Sequence, residues 1–384
     1  MAWGRTARDP DRPLLWMHAP SVGEGLQARP VLDILRARHA GWQFAYTFFS
    51  PSAERFARSL DADFADYLPF DTTGDMRIAL DALRPRAIVF SKLDVWPTLV
   101  READERGVSL ALISATLAPG SSRRGRIATA LLREAYSRLD AVGAIDADDA
   151  ARLAGLGARR AVITVSGDTR YDQVWARAQT VRPDNPQLAP LRTARLTLVA
   201  GSTWPADEAV LLPAWEQVHR SFPGARVIVA PHEPHAARLS AIESWAARAG
   251  LSCARLGAAT AGTSDVVLVD RVGVLGELYA LADAAYVGGG FHAAGLHSVL
   301  EPAAFGAPVL VGPRHADSRD AVLLLRSGGA RSVSDTTEAV TALGDWFARA
   351  GARHDAGEQA RRLVHDGLGA AQRSAALVEA LFDA

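Results

Sequence analysis

Cysteine and long hydrophobic runs are nearly absent from this sequence. Cys253 is its single cysteine, which excludes an internal disulfide and favours a reducing compartment such as the cytoplasm. No stretch reaches the roughly 18 apolar residues of a membrane span, and the N-terminal MAWGRTARDPDRP lacks the apolar core of a signal peptide. We therefore expect a cytoplasmic protein that does not span a membrane but is still able to lie on one.

An excess of charge of either sign is also absent. The sequence has 42 lysine and arginine residues against 43 aspartate and glutamate residues, which gives a formal net charge of −1. Without a global basic field to attract nucleic acid, any anionic ligand must be bound by a local patch. We therefore expect no nucleic-acid partner.

The length and apolar content exceed what one ordinary core needs. The chain has 384 residues, of which 49% are apolar, and this predicts two domains. Almost midway, WARAQTVRPDNPQLAPLRTARL carries three prolines and no periodic apolar face, which is typical of a linker. We predict an N-terminal domain over 1–178, a linker over 179–195 and a C-terminal domain over 196–384. The last helix is expected to be able to pack back on the N-terminal domain.

Short apolar runs alternate with helical patterns along both halves of the chain. They are LLWMHA, QFAYTFF, AIVFS, SLALIS and AVITVS in the first half, and LTLVA, ARVIVA, VVLVD, AYVGGG and PVLVG in the second. Strands of this kind form parallel sheets that are covered on both faces, so the predicted fold class is α/β. Open parallel sheets bind ligands beyond the carboxyl ends of their strands, and we expect the site in a cleft between the two sheets.

Residues 285–321 carry the strongest local signal. A predicted strand ends in Gly288, Gly289 and Gly290, a small-residue loop with Gly295 follows, and a helix is predicted to begin near Ser298. Glycines let the backbone approach a ligand closely, and a helix N-terminus offers N–H groups to a phosphate. The pattern predicts a phosphate or nucleotide cradle. Neither G-x-G-x-x-G nor G-x-x-x-x-G-K-[ST] occurs, which argues against NAD enzymes and P-loop ATPases.

Ser298 and Glu301 allow two interpretations. Their spacing is that of a capping box, in which each side chain bonds a backbone amide of the other residue. The same spacing suits Glu301 as a ligand of ribose hydroxyls, with Ser298 and His297 near a phosphate. Spacing alone does not separate the two.

Clusters of histidine and carboxylate give a weak metal signal. His292, His297 and Glu301 form one set, and His232 lies in the other, PHEPH. Neither set follows H-E-x-x-H or a cysteine-bearing zinc pattern, so we interpret them as polar loop histidines and predict no metal.

Hydroxyl residues and charges follow several other predicted strands. Ser202 and Thr203 end a strand in GSTWPADE, where they suit either phosphate contact or the start of a helix. In FSKLDVWP, Lys92 and Asp94 either pair with each other or face the cleft.

The basic turn SSRRGR contains Arg123, Arg124 and Arg126. Most such runs are solvated surface, but three arginines beside a cleft are also able to hold a phosphorylated acceptor.

One carboxylate follows the first predicted strand. In HAPSVGEG, Glu24 is either a helix-start residue or the group that carries the chemistry. Pro30 limits where the helix begins, which leaves Glu24 in the first turn or in the loop before it.

Five segments together resemble a known family. HAPSVGE, DVWPTLV, GSTWPADE, VVLVDRVGVLGELYALADAAYVGGG and AGLHSVLEPAAFGAPVLVGP, in this order, are similar to the 3-deoxy-D-manno-octulosonic acid (Kdo) transferases of lipopolysaccharide core biosynthesis. The resemblance runs from about residue 14 to the end. It implies a GT-B type enzyme with two Rossmann-like domains whose parallel sheets face a central cleft. Such an enzyme transfers Kdo from CMP-Kdo to a lipid A precursor with inversion and without a metal or other cofactor.

The resemblance also implies roles for matching residues. Glu24 stands where the family's S-V-G-E motif has its general base. In the G-G-H-N-x-L-E motif, Gly295, His297 and Glu301 match, whereas Leu296 and Ser298 depart from it. The cradle and the resemblance together predict the donor-binding residues Ser202, Thr203, His232, Gly288, Gly289, Gly290, Gly295, His297, Ser298 and Glu301. The predicted acceptor-binding residues are Ser21, Gly23, Lys92 and Asp94, together with Arg123 and Arg124 of the basic turn.

Departures from the family pattern leave alternatives open. His232 stands where an arginine often faces the nucleotide, and Ser91 replaces a glutamate. The membrane-anchor helix of many members is absent here, which implies peripheral attachment to the inner face of the cytoplasmic membrane. One alternative is a related transferase with a different nucleotide sugar or acceptor, and another is a non-catalytic nucleotide-binding relative.

Overall fold

The computed structural model describes residues 7–182, 184–186 and 188–382. The chain divides into two compact units. The first unit runs to Gln173 and resumes at Gly367, and the second extends from Val174 to Asp366. Each unit is an α/β sandwich with its own parallel sheet, which confirms the predicted fold class.

The first unit contains a seven-stranded sheet in the order β3-β2-β1-β4-β5-β6-β7. All of its recorded strand pairs are parallel. Its strands are β1 (Leu14–His18), β2 (Gln43–Phe48), β3 (Phe64–Tyr67), β4 (Ala87–Ser91), β5 (Ser109–Ala115), β6 (Ala141–Ala144) and β7 (Ile163–Val165). The helices that connect them are α1 (Val22–Arg38), α2 (Glu54–Ala57), α3 (Thr73–Leu83), α4 (Pro97–Asp104), α5 (Arg126–Ser137) and α6 (Ala147–Leu156).

The second unit repeats this architecture after α7 (Thr169–Thr180), with the strand order β10-β11-β9-β8-β12-β13-β14. Its strands are β8 (Thr197–Thr203), β9 (Arg226–Pro231), β10 (Cys253–Arg255), β11 (Val266–Leu268), β12 (Ala284–Val287), β13 (Val309–Val311) and β14 (Ala330–Ser332). Its helices are α8 (Pro205–Ser221), α9 (Ala236–Arg248), α10 (Leu275–Leu278), α11 (Leu300–Ala304), α12 (Arg319–Ser327), α13 (Thr336–Ala348) and α14 (Ala350–Asp366).

The last helix, α15 (Ala370–Glu379), belongs to the first unit. Ala371, Ala375 and Val378 are buried in the same core cluster as β1 and α1. Asp172 fixes the start of the helix, because its carboxylate accepts hydrogen bonds from the backbone N–H groups of Gly369 at 2.8 Å and Ala371 at 2.9 Å.

The boundaries therefore differ from the predicted 1–178, 179–195 and 196–384. The first boundary falls at Gln173, inside α7, because an unbroken helix carries the chain from one unit into the other. Most of the predicted linker belongs to the second unit, where Leu188 and Leu191 are buried in its core. The linker positions 183 and 187 lie outside the described residues.

The strands form where apolar residues are continuous. All five residues of β1, Leu14–His18, are buried, as the central strand of a sheet covered on both faces requires. The structure adds four strands that the apolar runs did not predict: β3, β6, β10 and β14. Three of them lie at sheet edges, where one side of the strand has no neighbour and a continuous apolar run is not required.

Each sheet has one point at which the strand order reverses. In the first unit the chain steps outward from β1 to β3 and returns on the other side of β1 with β4. In the second unit the same reversal separates β8 from β12. The crevice beyond the carboxyl ends of such a strand pair is the usual ligand site of an open parallel sheet. Among the described residues, none of the helices has the length and apolar character needed to cross a membrane.

Candidate active site

Glu24 lies in the first turn of α1, at the reversal point of the first sheet. Ser21 is the N-cap, and its hydroxyl accepts a hydrogen bond from the N–H of Gly23 at 3.2 Å. The same hydroxyl donates to Oε2 of Glu24. The helix therefore begins at Val22 and continues through Pro30, which places Glu24 inside the helix and not in the preceding loop.

The second oxygen of Glu24 forms an ion pair. Lys92 Nζ, just beyond β4, donates to Oε1 of Glu24 at 2.9 Å. The hydroxyl of Ser91 donates to the backbone carbonyl of Glu24 at 3.1 Å. Burial raises the pKa of the Glu24 carboxyl, but the hydrogen bonds from Ser21 and Lys92 and the charge of Lys92 outweigh it, so the pKa lies below its usual value. The carboxylate is thus held ionised.

Asp94 does not pair with Lys92 but belongs to a second cluster. Its Oδ2 accepts a hydrogen bond from the indole N–H of Trp96 at 2.8 Å and lies 3.3 Å from Nε2 of the fully buried His18. Arg123 Nη2 lies 3.8 Å from the other oxygen. Burial raises the pKa of the Asp94 carboxyl, but the contacts with His18 and Trp96 lower it by more. The pKa of Asp94 therefore lies below its usual value. His18 could not be predicted from its own strand, since a buried strand end gives no polar signal.

Arg124 is placed apart from these groups. Its guanidinium donates to the backbone carbonyl of Pro119, within the turn that precedes α5. Together with Arg126, Arg133 and Arg152 it lines a cavity of about 730 Å³ between α5 and α6. On the same helix, Ile127 and Leu131 are 80% and 70% exposed, which makes an apolar ridge beside an arginine-lined cavity.

The three glycines after β12 allow backbone segments to meet at close range. A Cβ atom at Gly288 would lie 2.1 Å from the carbonyl oxygen of Ser202, and one at Gly289 would lie 2.1 Å from that of Gly295. A Cβ at Gly290 would lie 2.5 Å from the backbone nitrogen of Gly312. This turn, residues 288–290, therefore brings the ends of β8, β12 and β13 together.

Asp207 holds the same turn in place through buried hydrogen bonds, a role that the sequence did not reveal. It is fully buried, and its carboxylate accepts hydrogen bonds from the N–H of Gly289 at 2.8 Å and the hydroxyl of Tyr286 at 2.8 Å. It also accepts from the N–H of Trp204 at 2.9 Å, at the start of α8. The signal available in the sequence was an aspartate in the first turn of a helix that opens with Pro205, but a capping role accounts equally well for that pattern.

Ser202 and Thr203 differ in what their hydroxyls do. Thr203 is buried and donates to Glu208 Oε1 at 2.7 Å, so its hydroxyl is used within the protein. Ser202 is partly exposed and has a φ of +53°, a left-handed conformation that is rare outside glycine. Of the two, Ser202 is the one that β8 presents at the reversal point.

An aromatic cluster joins three histidines from two loops, the loop after β9 and the loop after β12. The Trp204 ring stacks on His292 at 4.1 Å and on His232 at 4.5 Å between centroids. The Trp204 indole N–H donates to Nε2 of His297 at 3.2 Å, and the His297 and His232 rings lie 4.5 Å apart. Burial, followed by the effect of His232, lowers the pKa of His297. Among the described residues, no group of three or more His, Cys, Asp or Glu side chains is placed to hold a metal ion.

Within the part of the chain that the structure describes, Glu301 forms no hydrogen bond with Ser298 or with the aromatic cluster, and Arg177 Nη1 lies 3.4 Å from its Oε1. Burial raises the pKa of the Glu301 carboxyl, and Arg177 partly offsets this. The predicted helix start near Ser298 is wrong by two residues, because α11 begins at Leu300 with Val299 as its N-cap and no side-chain cap. The capping box is therefore not formed, and Ser298 is exposed.

The amino-acid sequence is similar to those of known proteins. Residues 2–173 match the family model described as 3-deoxy-D-manno-octulosonic-acid transferase. The enzyme of that name from Bordetella pertussis is 30% identical over 391 residues, which cover 97% of this chain and 89% of the relative. The one from Chlamydophila psittaci is 29% identical over 338 residues, which cover 85% and 76%.

Solved structures resemble the whole chain in fold. UDP-GlcNAc 2-epimerase from Neisseria meningitidis superposes with a TM-score of 0.66 at 12% identity, over 93% of this chain and 99% of that one. A glycosyltransferase from Rickettsia africae gives a TM-score of 0.62 at 9% identity, over 97% and 98%. Two parallel-sheet units of this kind make up the GT-B fold class. Within that class, the identity to the Bordetella enzyme shows that this chain belongs to the Kdo transferase family.

Proposed function

We propose that this enzyme transfers Kdo from CMP-Kdo to a lipid A precursor, with inversion at the anomeric carbon and with Glu24 as the general base. The observation that carries the proposal is the state of Glu24, which is held ionised in the first turn of α1. An inverting transfer needs one base to remove a proton from the acceptor hydroxyl. An ionised carboxylate at the reversal point of the first sheet has the protonation state that this role demands.

The donor is expected at the reversal point of the second sheet. Glu301 would accept hydrogen bonds from the ribose hydroxyls, while Ser202 and the 288–290 turn would lie along the phosphate. His232 and His297 would offer N–H groups to the leaving cytidylate, whose charge grows as the sugar departs. Thr203 and Asp207 would position the site without contacting the donor, since both side chains are buried and form hydrogen bonds to protein groups.

The acceptor is expected at the first unit, near Ser21, Gly23, Lys92 and Asp94. A phosphorylated lipid has both a charged and an apolar end, and Arg123 and Arg124 suit the former. The ridge formed by Ile127 and Leu131, beside the arginine-lined cavity, supports peripheral contact with an anionic membrane surface. We therefore propose peripheral attachment of the enzyme to the inner face of the cytoplasmic membrane.

Glu24→Gln tests the assignment of the base. The substitution keeps the side-chain size and removes proton acceptance, so we expect transfer to fall by about 10²–10⁴-fold with unchanged CMP affinity. The measurement is CMP release from CMP-Kdo in the presence of the lipid A precursor, with mass spectrometry of the lipid product. Glu105→Gln, at an exposed position, is the matched control. A fully active Glu24→Gln enzyme would disprove the role of Glu24.

The donor class is tested separately by thermal shift. A ligand that binds only the folded state raises its melting temperature, so we expect CMP to stabilise the protein more than UDP or GDP at equal concentration. A preference for UDP would instead favour a transferase with a different nucleotide sugar.

A further inference from the structure

Lysine is almost missing from this protein, and the one that is present contacts Glu24. The sequence has 42 cationic side chains of lysine or arginine, and Lys92 is the single lysine among them. At every other cationic position the chain uses arginine. The exception lies 2.9 Å from the carboxylate to which the proposed function assigns the proton transfer.

Both oxygens of that carboxylate are occupied. Ser21 donates to Oε2 and Lys92 donates to Oε1. The two donors differ in their surroundings, because the Ser21 hydroxyl also caps the helix whereas the Lys92 side chain is 41% exposed to solvent. The Glu24 side chain is only 16% exposed. Of the two contacts, the one with Lys92 is therefore the contact that a ligand is able to exchange.

The backbone at Lys92 adds an independent observation. Its φ is +67°, in the left-handed region that non-glycine residues rarely adopt. Two hydrogen bonds hold this segment: the Lys92 N–H donates to the carbonyl of Ile113 at 2.9 Å, and the hydroxyl of the preceding Ser91 donates to the carbonyl of Glu24 at 3.1 Å. Unfavourable backbone conformations of this kind persist where the surroundings enforce them, frequently at functional sites.

Lysine and arginine differ in how firmly they hold a carboxylate. The planar guanidinium binds both oxygens in a fixed fork, whereas the ammonium group is a compact charge on a flexible stem. Lysine is therefore better suited than arginine to an ion pair with Glu24 that must dissociate.

We propose that Lys92 is a releasable counter-ion of the base. In the free enzyme it holds Glu24 ionised and oriented, and on acceptor binding it passes to an oxyanion of the acceptor. Glu24, freed of the neighbouring charge, then accepts the proton of the acceptor hydroxyl as the new glycosidic bond forms and the bond to cytidylate breaks. The proposal rests on the proposed function and makes Lys92 a positioning residue that couples acceptor binding to base strength.

The pH dependence of transfer tests the release. The profile of kcat/KM reports groups in the free enzyme, and that of kcat reports the bound complex. In the native enzyme we expect the acidic limb of kcat to lie at higher pH than that of kcat/KM, by about one pH unit. In Lys92→Met the two limbs should coincide at the higher pH, because no ammonium group lowers the pKa of Glu24 in either state.

Lys92→Arg is the matched control. It keeps the charge, so both acidic limbs should stay at low pH, and kcat should fall because the fork does not release Glu24. A purely structural role of Lys92 would lower the melting temperature of both variants and leave the limbs unmoved, and that result would overturn the proposal.

The single lysine also allows a direct test that does not depend on activity. Protein labelled with ¹³C at lysine Cε gives one side-chain NMR signal from Lys92. We expect this signal to differ between the native protein and Glu24→Gln, and to move in the native protein when the lipid A precursor is added in detergent micelles. Micelles alone are the control. A signal that stays in place while the acceptor binds would contradict the release, whereas an active Glu24→Gln enzyme would contradict the base assignment itself.

Discussion

At the scale of single residues, two carboxylates of this protein are shifted in opposite directions. Glu24 has a lowered pKa because hydrogen bonds and the charge of Lys92 outweigh burial, and Glu301 has a raised pKa because burial outweighs Arg177. Groups whose environments push their pKa values apart are suited to different tasks. An ionised Glu24 suits proton abstraction, and a half-enclosed Glu301 suits hydrogen bonding to neutral hydroxyl groups.

Two glycines of the second unit make a matched pair for substitution. Gly289 and Gly295 have φ values of +95° and +92°, so alanine is similarly strained at both. At Gly295 the added Cβ meets no atom within 4 Å, whereas at Gly289 it would lie 2.1 Å from a carbonyl oxygen. We expect Gly295→Ala to cost about 1–2 kcal/mol of unfolding free energy and Gly289→Ala clearly more, with loss of CMP binding.

Urea unfolding followed by CMP titration measures both effects. Equal destabilisation by the two substitutions would mean that the backbone angle alone, and not the close approach to Gly295, makes glycine necessary at position 289.

At the scale of elements, α5 exposes apolar side chains that do not contribute to packing in the core. Ala135 and Tyr136 are buried, which anchors the C-terminal end of the helix. Its N-terminal half instead exposes Ile127 and Leu131 to the surroundings. Exposed apolar residues next to arginines are typical of helices that lie on an anionic membrane surface.

We expect the double substitution Ile127→Glu and Leu131→Glu to weaken binding to phosphatidylglycerol vesicles by at least about tenfold, since each buried aliphatic side chain contributes roughly 1.5–3 kcal/mol. Vesicle sedimentation is the measurement. Ile78→Glu provides the control, because Ile78 is 52% exposed on α3, away from the arginine-lined cavity. If the control weakens binding equally, α5 has no special part in membrane contact.

At the scale of the whole molecule, the first unit is built from two separate parts of the chain. Residues up to Gln173 form its sheet, and α15 returns from the far end of the sequence to cover α1. Arg38 on α1 pairs with Glu379 on α15 at 2.9 Å, and Val378 is fully buried beneath them. The second unit, in contrast, is continuous from Val174 to Asp366.

Truncation after Asp366 should therefore destabilise the first unit and spare the second. We expect calorimetry to show loss or lowering of one thermal transition, while the CMP-induced stabilisation of the other remains. Val378→Ala in the full chain is the milder version and should cost about 2 kcal/mol. Loss of CMP binding on truncation would show that the second unit depends on the C-terminal helix.

Much of the fold followed from the sequence alone. Continuous apolar runs predicted ten of the strands because a central strand of a parallel sheet must be apolar on both faces, and β1 is the clearest example. The edge strands β3, β10 and β14 escaped because they need no such run. The helix start near Ser298 was misplaced because a serine and a glutamate at capping-box spacing permit that cap but do not enforce it.

What only the tertiary structure decided is which side chains meet. The sequence offered Lys92 and Asp94 as a possible pair, but in the loop that follows β4 Lys92 contacts Glu24 while Asp94 contacts His18. Likewise, Trp204 and three loop histidines are dispersed along the chain and meet only because β8, β9 and β12 end at one edge. Residue types and spacing determine the elements and the chemistry that is available, whereas contacts between distant segments depend on strand order, which no local pattern encodes.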